Sequence, residues 1–155
     1  MKKISSLLVF VLIVLLVACG KEKSFEPVKI NPEVDICEIC NMSIAEENYA
    51  AQLLSKDGDV YKFDDIGCMY EFINKDKKIA KDDIAKQYVR DMESGKWFEA
   101  KKAHYAYHKE FWTPMAYGVV VFQNQEEAND YITEQGKGEL YNFEQLSQHK
   151  WGWKR

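Results

Sequence analysis

The feature of the sequence that most limits its fold is a pattern of strand, strand, helix and strand that occurs twice. In the first copy, residues 49–55 alternate as a strand does, and residues 60–63 form a second short strand after a hairpin turn. Either Asp64 or Asp65 can cap the helix that follows, and a third strand is expected near residues 86–91.

The second copy has the same order of elements. Residues 97–107 are rich in aromatic side chains and alternate, which predicts an extended segment, and residues 118–122 are β-branched. Asn124 can cap a helix that runs to about residue 134. Residues 139–143 then form a final strand or enter a short terminal helix.

The two copies are related by a shift of 59 residues, which places Val60–Phe63 on Val119–Phe122. Apolar residues make up 46% of the chain and charged residues 30%, which is typical of a globular protein. We therefore predict an α+β fold of two small similar ββαβ units, the first over residues 34–93 and the second over residues 94–155.

The N-terminal segment predicts export and attachment to a membrane. Two lysines precede an unbroken apolar run over residues 7–18, which is too short to span a bilayer but typical of a signal peptide. Cys19 follows directly, and this arrangement resembles the lipobox of bacterial lipoproteins. We expect residues 1–18 to be a lipoprotein signal peptide, Cys19 to carry the lipid, and residues 19–33 to be a polar membrane-proximal linker. An ordinary signal peptide with an unmodified cysteine and an uncleaved anchor are the alternatives.

A Cys-x-x-Cys-x-Met motif, formed by Cys37, Cys40 and Met42, is the first candidate site. The spacing of the two cysteines suits a metal ion or a reversible disulfide. If the segment is extended, Cys40 and Met42 point to the same side, so that a thiolate and a thioether face one space. A thioether is a ligand that Cu(I) accepts and Zn²⁺ rarely uses, and the second Cys or His pair of a zinc ribbon is missing. The motif therefore favours copper.

Further candidate residues lie elsewhere in the chain. Met115 follows Pro114, whose fixed backbone predicts a stiff loop, although a single methionine is also explained by core packing. His104 is a candidate third ligand if the second unit folds over Cys40, and is otherwise a surface histidine. Cys68 is either an activated thiol near the start of a helix or a buried small apolar residue.

Together these segments resemble the NosL family of copper-binding lipoproteins, which help to assemble nitrous oxide reductase. The matching features follow in family order: Cys19, residues 37–42, residues 56–58, residues 63–69 and residues 113–115. Two positions depart from the family pattern. Members usually carry glycine where this chain has Asn41, and in many of them a glycine stands where Ala116 follows the methionine here.

The resemblance implies that Cu(I) is held by the thiolate of Cys40 and the thioether of Met115, with Met42 as a plausible neighbour. It also implies a fold similar to the core of an organomercurial lyase, which agrees with the two ββαβ units. From the residues themselves, Cys37 and His104 are additional candidate ligands, and Cys37 can pair with Cys40 as a disulfide that gates copper uptake.

We therefore predict an extracytoplasmic, membrane-anchored Cu(I) chaperone that is not an enzyme. It delivers copper by ligand exchange to an exported cuproenzyme, with nitrous oxide reductase as the expected acceptor. The alternatives are a thiol-disulfide oxidoreductase that uses Cys37 and Cys40, and an envelope binding module whose sulfurs are structural. A monomer and a metal-linked dimer are both open, and the formal net charge of −4 argues against a nucleic-acid partner.

Overall fold

The computed structural model describes residues 23–153. The predicted signal peptide over residues 1–18 and the predicted lipidation site Cys19 lie outside these residues. Within residues 23–153, no helix has the length and apolar character that crossing a membrane requires. The helices and strands follow in chain order: β1 (Ala51–Ser55), β2 (Val60–Phe63), α1 (Ile66–Tyr70), β3 (Ile84–Arg90), β4 (Trp97–Glu99), β5 (His104–Tyr107), β6 (Val119–Phe122), α2 (Gln125–Gln135), β7 (Glu139–Tyr141) and α3 (Phe143–Ser147).

The strands form two antiparallel sheets with related topologies. The first sheet has the order β2-β1-β3-β4 and the second has the order β6-β5-β7. In each sheet the first strand of the unit lies between the second strand and the strand that follows the helix. The predicted α+β fold with two ββαβ units is therefore confirmed.

The repeat extends to the residues that begin the helices. The Asp65 side chain accepts a hydrogen bond from the backbone N–H of Gly67, and the Asn124 side chain accepts one from Glu126. The two capping residues are 59 positions apart, which is the shift that also relates β2 to β6. The hairpin loops differ, because residues 56–59 join β1 to β2 whereas the longer segment 108–118 joins β5 to β6.

The extended segment predicted over residues 97–107 is in fact two strands. A 3₁₀ turn over Ala100–Lys102 separates β4 from β5, and β4 pairs with β3, so that the first sheet continues past residue 93. At the C-terminus the two alternatives for residues 139–143 both hold, since β7 is a strand and α3 begins directly after Asn142.

One buried cluster joins the two sheets. It contains residues of β1, β2, β5 and β6, including Leu53, Phe63, Tyr105, Val119 and Val121. The other face of the second sheet packs against α2 through a smaller cluster of Ala106, Phe111, Val120, Phe122 and Ala128. The alternation along β6 thus gives one apolar side to the shared core and the other to the helix.

The segment that precedes the cysteine motif lies against the first sheet. The buried side-chain amide of Gln52 donates to Val28 O at 2.6 Å and accepts from Val28 N at 2.9 Å. The Tyr88 hydroxyl donates to Phe25 O at 2.8 Å, and Ile30 is buried in the core. Residues 23–30, which belong to the predicted linker 19–33, thus lack helix and strand but are bound to the sheet.

Candidate metal centre

The cysteine motif forms a tight hairpin before β1. Ile36 and Ser43 form an isolated antiparallel bridge, and the backbone N–H of Cys37 donates to Met42 O at 2.9 Å. The chain reverses at Asn41, which adopts a left-handed conformation with φ of 60° and donates its N–H to Cys37 O at 3.0 Å. Asparagine tolerates this conformation better than most residues with a Cβ atom.

The motif is therefore not extended between Cys37 and Met42, and the condition under which Cys40 and Met42 would point to the same side is not met. The turn gives the sulfur atoms different surroundings. Cys37 is fully buried, Cys40 is half-buried and Met42 is 47% exposed. A second contact, from the Glu38 N–H to Lys62 O at 3.0 Å, fixes the hairpin against β2.

Four potential ligand atoms meet beside this hairpin. The sulfurs of Cys37, Cys40 and Cys68 and a carboxylate oxygen of Asp64 all lie within 4.8 Å of one another. Asp64 directly follows β2, and Cys68 lies in α1. Cys68 and Asp64 are buried, as Cys37 is, so Cys40 is the member of the group that reaches the surface.

Hydrogen bonds and burial shift the pKa values of the three thiols in this cluster in different directions. The Cys40 thiol donates to Asp64 Oδ2 at 3.3 Å, and burial raises the pKa of Cys40 to about 12. A hydrogen bond from the Cys68 thiol lowers the pKa of Cys37, and the same contact raises the pKa of Cys68. Cys37 is therefore the sulfur of the three that ionises most easily. Asp64 Oδ1 is buried and accepts no hydrogen bond within residues 23–153.

The Thr-Pro-Met loop is attached to the start of α1 by Asp65. Asp65 Oδ2 accepts hydrogen bonds from the Thr113 hydroxyl at 2.7 Å and from the Met115 N–H at 3.2 Å, while Oδ1 accepts from the Gly67 N–H at 2.8 Å. Burial raises the pKa of Asp65 to about 6, although all three donors favour its ionised form. Because Asp65 adjoins Asp64, the hydrogen bonds from Thr113 and Met115 to Asp65 bring the second unit close to the cluster of three cysteines and Asp64.

The end of the same loop packs on the glycine before Cys68. A Cβ atom at Gly67 would lie 2.0 Å from Cδ2 of Tyr117, so only glycine allows this close approach. The Tyr117 hydroxyl donates to Glu71 Oε2 at 2.9 Å, which fixes the ring over the helix. Met115 is half-buried and packs against the core that contains Cys37 and Cys68.

The structure thus brings together part of the predicted site and adds two residues. Cys37 and Cys40 lie together as expected, whereas Asp64 and Cys68 were interpreted from sequence as a capping residue and as a core or activated thiol. Asp64 and Cys68 both lie in residues 63–69, where β2 ends and α1 begins, and this closeness in sequence could have indicated them as candidate ligands. His104 lies in β5 opposite Phe122 and is not a member of the four-residue group. Ligation by Met42, Met115 or His104 stays a prediction.

Comparison with known proteins identifies the class to which this fold and site belong. The family model described as NosL matches residues 27–151, so the chain belongs to the NosL family. The chain is also similar to a solved structure, the copper chaperone NosL from Shewanella denitrificans. The sequence identity is 20% and the TM-score 0.68, over 84% of this chain and 100% of that one. At this identity the likeness shows the fold alone. No curated protein matches the sequence.

Proposed function

We propose that this protein is a copper chaperone that binds monovalent copper at the cluster of Cys37, Cys40, Asp64 and Cys68 beside the cysteine hairpin. The observation that carries the proposal is the convergence of three sulfurs and one carboxylate oxygen within 4.8 Å. Sulfur is a soft donor that suits Cu(I), and a buried carboxylate oxygen without a hydrogen-bond donor is a position where a cation is stabilised. Membership of the NosL family and the similar fold of a copper chaperone support this assignment.

Copper is the cargo of such a protein, and ligand exchange is the mechanism that we propose for its transfer. Two or three sulfurs hold Cu(I) but leave coordination positions open to a donor from the acceptor. The half-exposed Cys40 is the described cysteine that an incoming ligand can approach, because Cys37 and Cys68 are fully buried. Copper then moves between proteins without release of the free ion, and no bond in a substrate is broken, so the protein does not act as an enzyme.

The same burial argues against a thiol-disulfide oxidoreductase. Such an enzyme needs an accessible thiol that ionises easily. Here the thiol whose pKa is lowered, Cys37, is fully buried, and the accessible thiol, Cys40, has its pKa raised to about 12. Neither cysteine combines the two properties.

The cellular context of this function is also a proposal. A lipid on Cys19 would hold the chaperone at the extracytoplasmic face of the cell membrane, with residues 23–30 bound along the first sheet. An exported copper enzyme is the acceptor that this location favours, and the family resemblance suggests nitrous oxide reductase.

An anaerobic Cu(I) titration tests the proposed function. The purified chain, reduced and loaded with Cu(I), is expected to retain copper against a chromogenic Cu(I) chelator, and Cys40→Ala is expected to weaken binding by about tenfold or more. Met92→Leu, which changes a methionine packed against the smaller cluster, is the control and should bind as the unmodified chain does. Failure of the unmodified chain to bind Cu(I), or retention of zinc in place of copper, would contradict the proposal.

A further inference from the structure

A cavity of about 300 Å³ lies between the first sheet and two helices. Its walls come from α1 and the helical turn after it, from β3 and from α3, and they include Tyr70, Ile73, Ile84, Gln87 and Phe143. Small-molecule sites in proteins span roughly 300–1,000 Å³ and are lined mainly by apolar side chains. The cavity therefore has the size and the lining of a site for a small molecule.

Two polar atoms of this lining are buried without a hydrogen-bond partner. Tyr70 is 3% exposed, and its hydroxyl makes no hydrogen bond within residues 23–153. The same holds for the buried Oε1 atom of Gln87. Gln87 pairs with the buried Leu53 across the sheet, so its side chain lies on the core side, where an apolar residue is the usual choice. Because buried polar groups almost always have a partner, the two atoms indicate a polar group of a bound molecule.

The outer edge of the cavity is positively charged. Lys81 lies at this edge and is exposed. A neighbouring cavity of about 420 Å³ shares Ile73, Asn74 and Lys81 with the first and adds Lys77. Among the residues that the structure describes, no aspartate or glutamate lines either cavity. Two lysines without a carboxylate in the same lining attract an anion.

We propose that the cavity binds a small organic carboxylate with an apolar body and a hydroxyl group at its far end. The ligand hydroxyl accepts from the Tyr70 hydroxyl and donates to Gln87 Oε1, so that both buried atoms gain a partner. Burial raises the pKa of Tyr70, which keeps its hydroxyl protonated and able to donate. The apolar body packs against Ile73 and Phe143, and the carboxylate lies beside Lys81.

This site is separate from the candidate metal centre. Tyr70 follows Cys68 by two residues in α1, which corresponds to a rotation of about 200° around the helix. The sulfur of Cys68 belongs to the four-residue group, whereas the ring of Tyr70 stacks on Trp151. No member of the four-residue group lines the cavity. The proposed ligand site therefore goes beyond the proposed copper function and does not depend on it.

Isothermal titration calorimetry of the reduced, copper-free chain tests the proposal with three matched probes. The first probe, 3-(4-hydroxyphenyl)propionate, has the carboxylate, the apolar body and the hydroxyl. The second, 3-phenylpropionate, lacks the hydroxyl, and the third, tyramine, carries a cation in place of the carboxylate. We expect the first probe to bind and each of the other two to bind at least about tenfold more weakly.

Variants of the lining separate the contributions to this affinity. Tyr70→Phe keeps the ring and its packing, so it should fold and bind 3-phenylpropionate within about twofold of the unmodified chain, but should bind the hydroxylated probe about tenfold more weakly. Lys81→Met should weaken the binding of both carboxylates by about threefold, because Lys81 is exposed. The control is Lys96→Met, which changes an exposed lysine outside the cavity and should leave both affinities unchanged.

Three results would each overturn the proposed ligand site. They are a lack of binding by the unmodified chain, equal binding of the three probes, and an unchanged affinity of Tyr70→Phe for the hydroxylated probe. Copper binding is measured on the same variant, which should retain Cu(I) as the unmodified chain does. The failure of the ligand site and the failure of the proposed copper function are therefore distinguishable.

Discussion

Two residues beside the candidate ligands adopt a backbone conformation that usually requires glycine. Asn41, between Cys40 and Met42, has φ of 60°, and Ala116, directly after Met115, has φ of 57°. For residues with a Cβ atom this region costs roughly 1–2 kcal/mol, and asparagine is favoured there among the other residues. At both positions the resemblance to the NosL family leads us to expect glycine, and a left-handed backbone is the conformation that favours it.

Replacement of Ala116 by glycine should therefore stabilise the chain. Glycine removes the conformational strain at φ of 57°, and part of the gain is offset by the greater freedom of glycine in the unfolded state. We expect the free energy of unfolding to rise by about 0.5–1 kcal/mol. Urea denaturation of the copper-free protein measures this change.

The control for this substitution is Ala80→Gly. Ala80 is exposed and has φ of −69°, an ordinary conformation for alanine, so here glycine adds only freedom to the unfolded chain. This variant should lose about 0.5 kcal/mol. Equal effects of the two substitutions would show that Ala116 is not strained.

The limits of prediction at the residue scale follow from sequence distance. Cys37 and Cys40 could be predicted as partners because their spacing is local. Asp64 and Cys68 could not be assigned as partners of the cysteine motif, because their approach depends on how β2 places the hairpin. The alternation that would bring Cys40 and Met42 to one side holds only for an extended segment, and the turn at Asn41 removes that condition.

At the scale of the elements, the two helix caps provide a comparison within one molecule. Asp65 and Asn124 occupy the same place in the repeat, and each accepts a hydrogen bond from the N–H two residues later. Only Asp65 has a further role, because its carboxylate also accepts from Thr113 and Met115. This difference arises from the longer loop 108–118, which reaches back to the first unit.

Alanine substitutions at the two caps should therefore differ in cost. Asn124→Ala loses one exposed cap, which costs about 1 kcal/mol. Asp65→Ala leaves three donors without their acceptor in a buried setting, and we expect a loss of roughly 2–4 kcal/mol. Chemical denaturation of both variants measures the difference. If Asp65→Ala costs no more than Asn124→Ala, the attachment of the Met115 loop to α1 is not a stabilising contact.

The elements that could be predicted are those whose ends carry local signals. Strand β2 follows from a turn, and the caps Asp65 and Asn124 follow from side chains that readily accept hydrogen bonds at the start of a helix. The break between β4 and β5 could not be predicted, because Ala100–Lys102 contains neither glycine nor proline and aromatic residues stand on both sides of it. The pairing of β4 with the first sheet depends on tertiary contacts, which the periodicity of the sequence does not indicate.

The whole molecule is held together by contacts that cross from one unit to the other. The main core contains residues of both sheets, so neither sheet can lose its packing without exposing the other. Near the C-terminus, the ring of His149 packs edge-on against Tyr107 of β5, with 4.4 Å between the ring centroids, and against Trp151, with 4.9 Å. Trp151 in turn stacks on Tyr70 of α1. We therefore expect the two units to unfold together, in one cooperative transition.

This aromatic contact predicts how the stability of the whole chain depends on pH. Burial lowers the pKa of His149, opposed in part by the nearby charge of Glu139, so the folded protein favours the neutral ring. The unfolded chain binds a proton near the ordinary value of about 6.5. Below that pH the unfolded state binds more protons than the folded state, and the free energy of unfolding falls as the pH falls. The stabilisation is complete above the ordinary pKa and is lost as the pH passes through the lowered one.

His149→Phe keeps an aromatic ring against Tyr107 and Trp151 but cannot take up a proton, so its stability should decrease less between pH 7 and pH 5. The measurement is urea denaturation of both copper-free proteins at several pH values across this interval. Asp65, whose pKa burial raises to about 6, titrates in both proteins and therefore cancels in their difference. Parallel pH profiles would mean that protonation of His149 does not weaken the contact between the C-terminal segment and the two units.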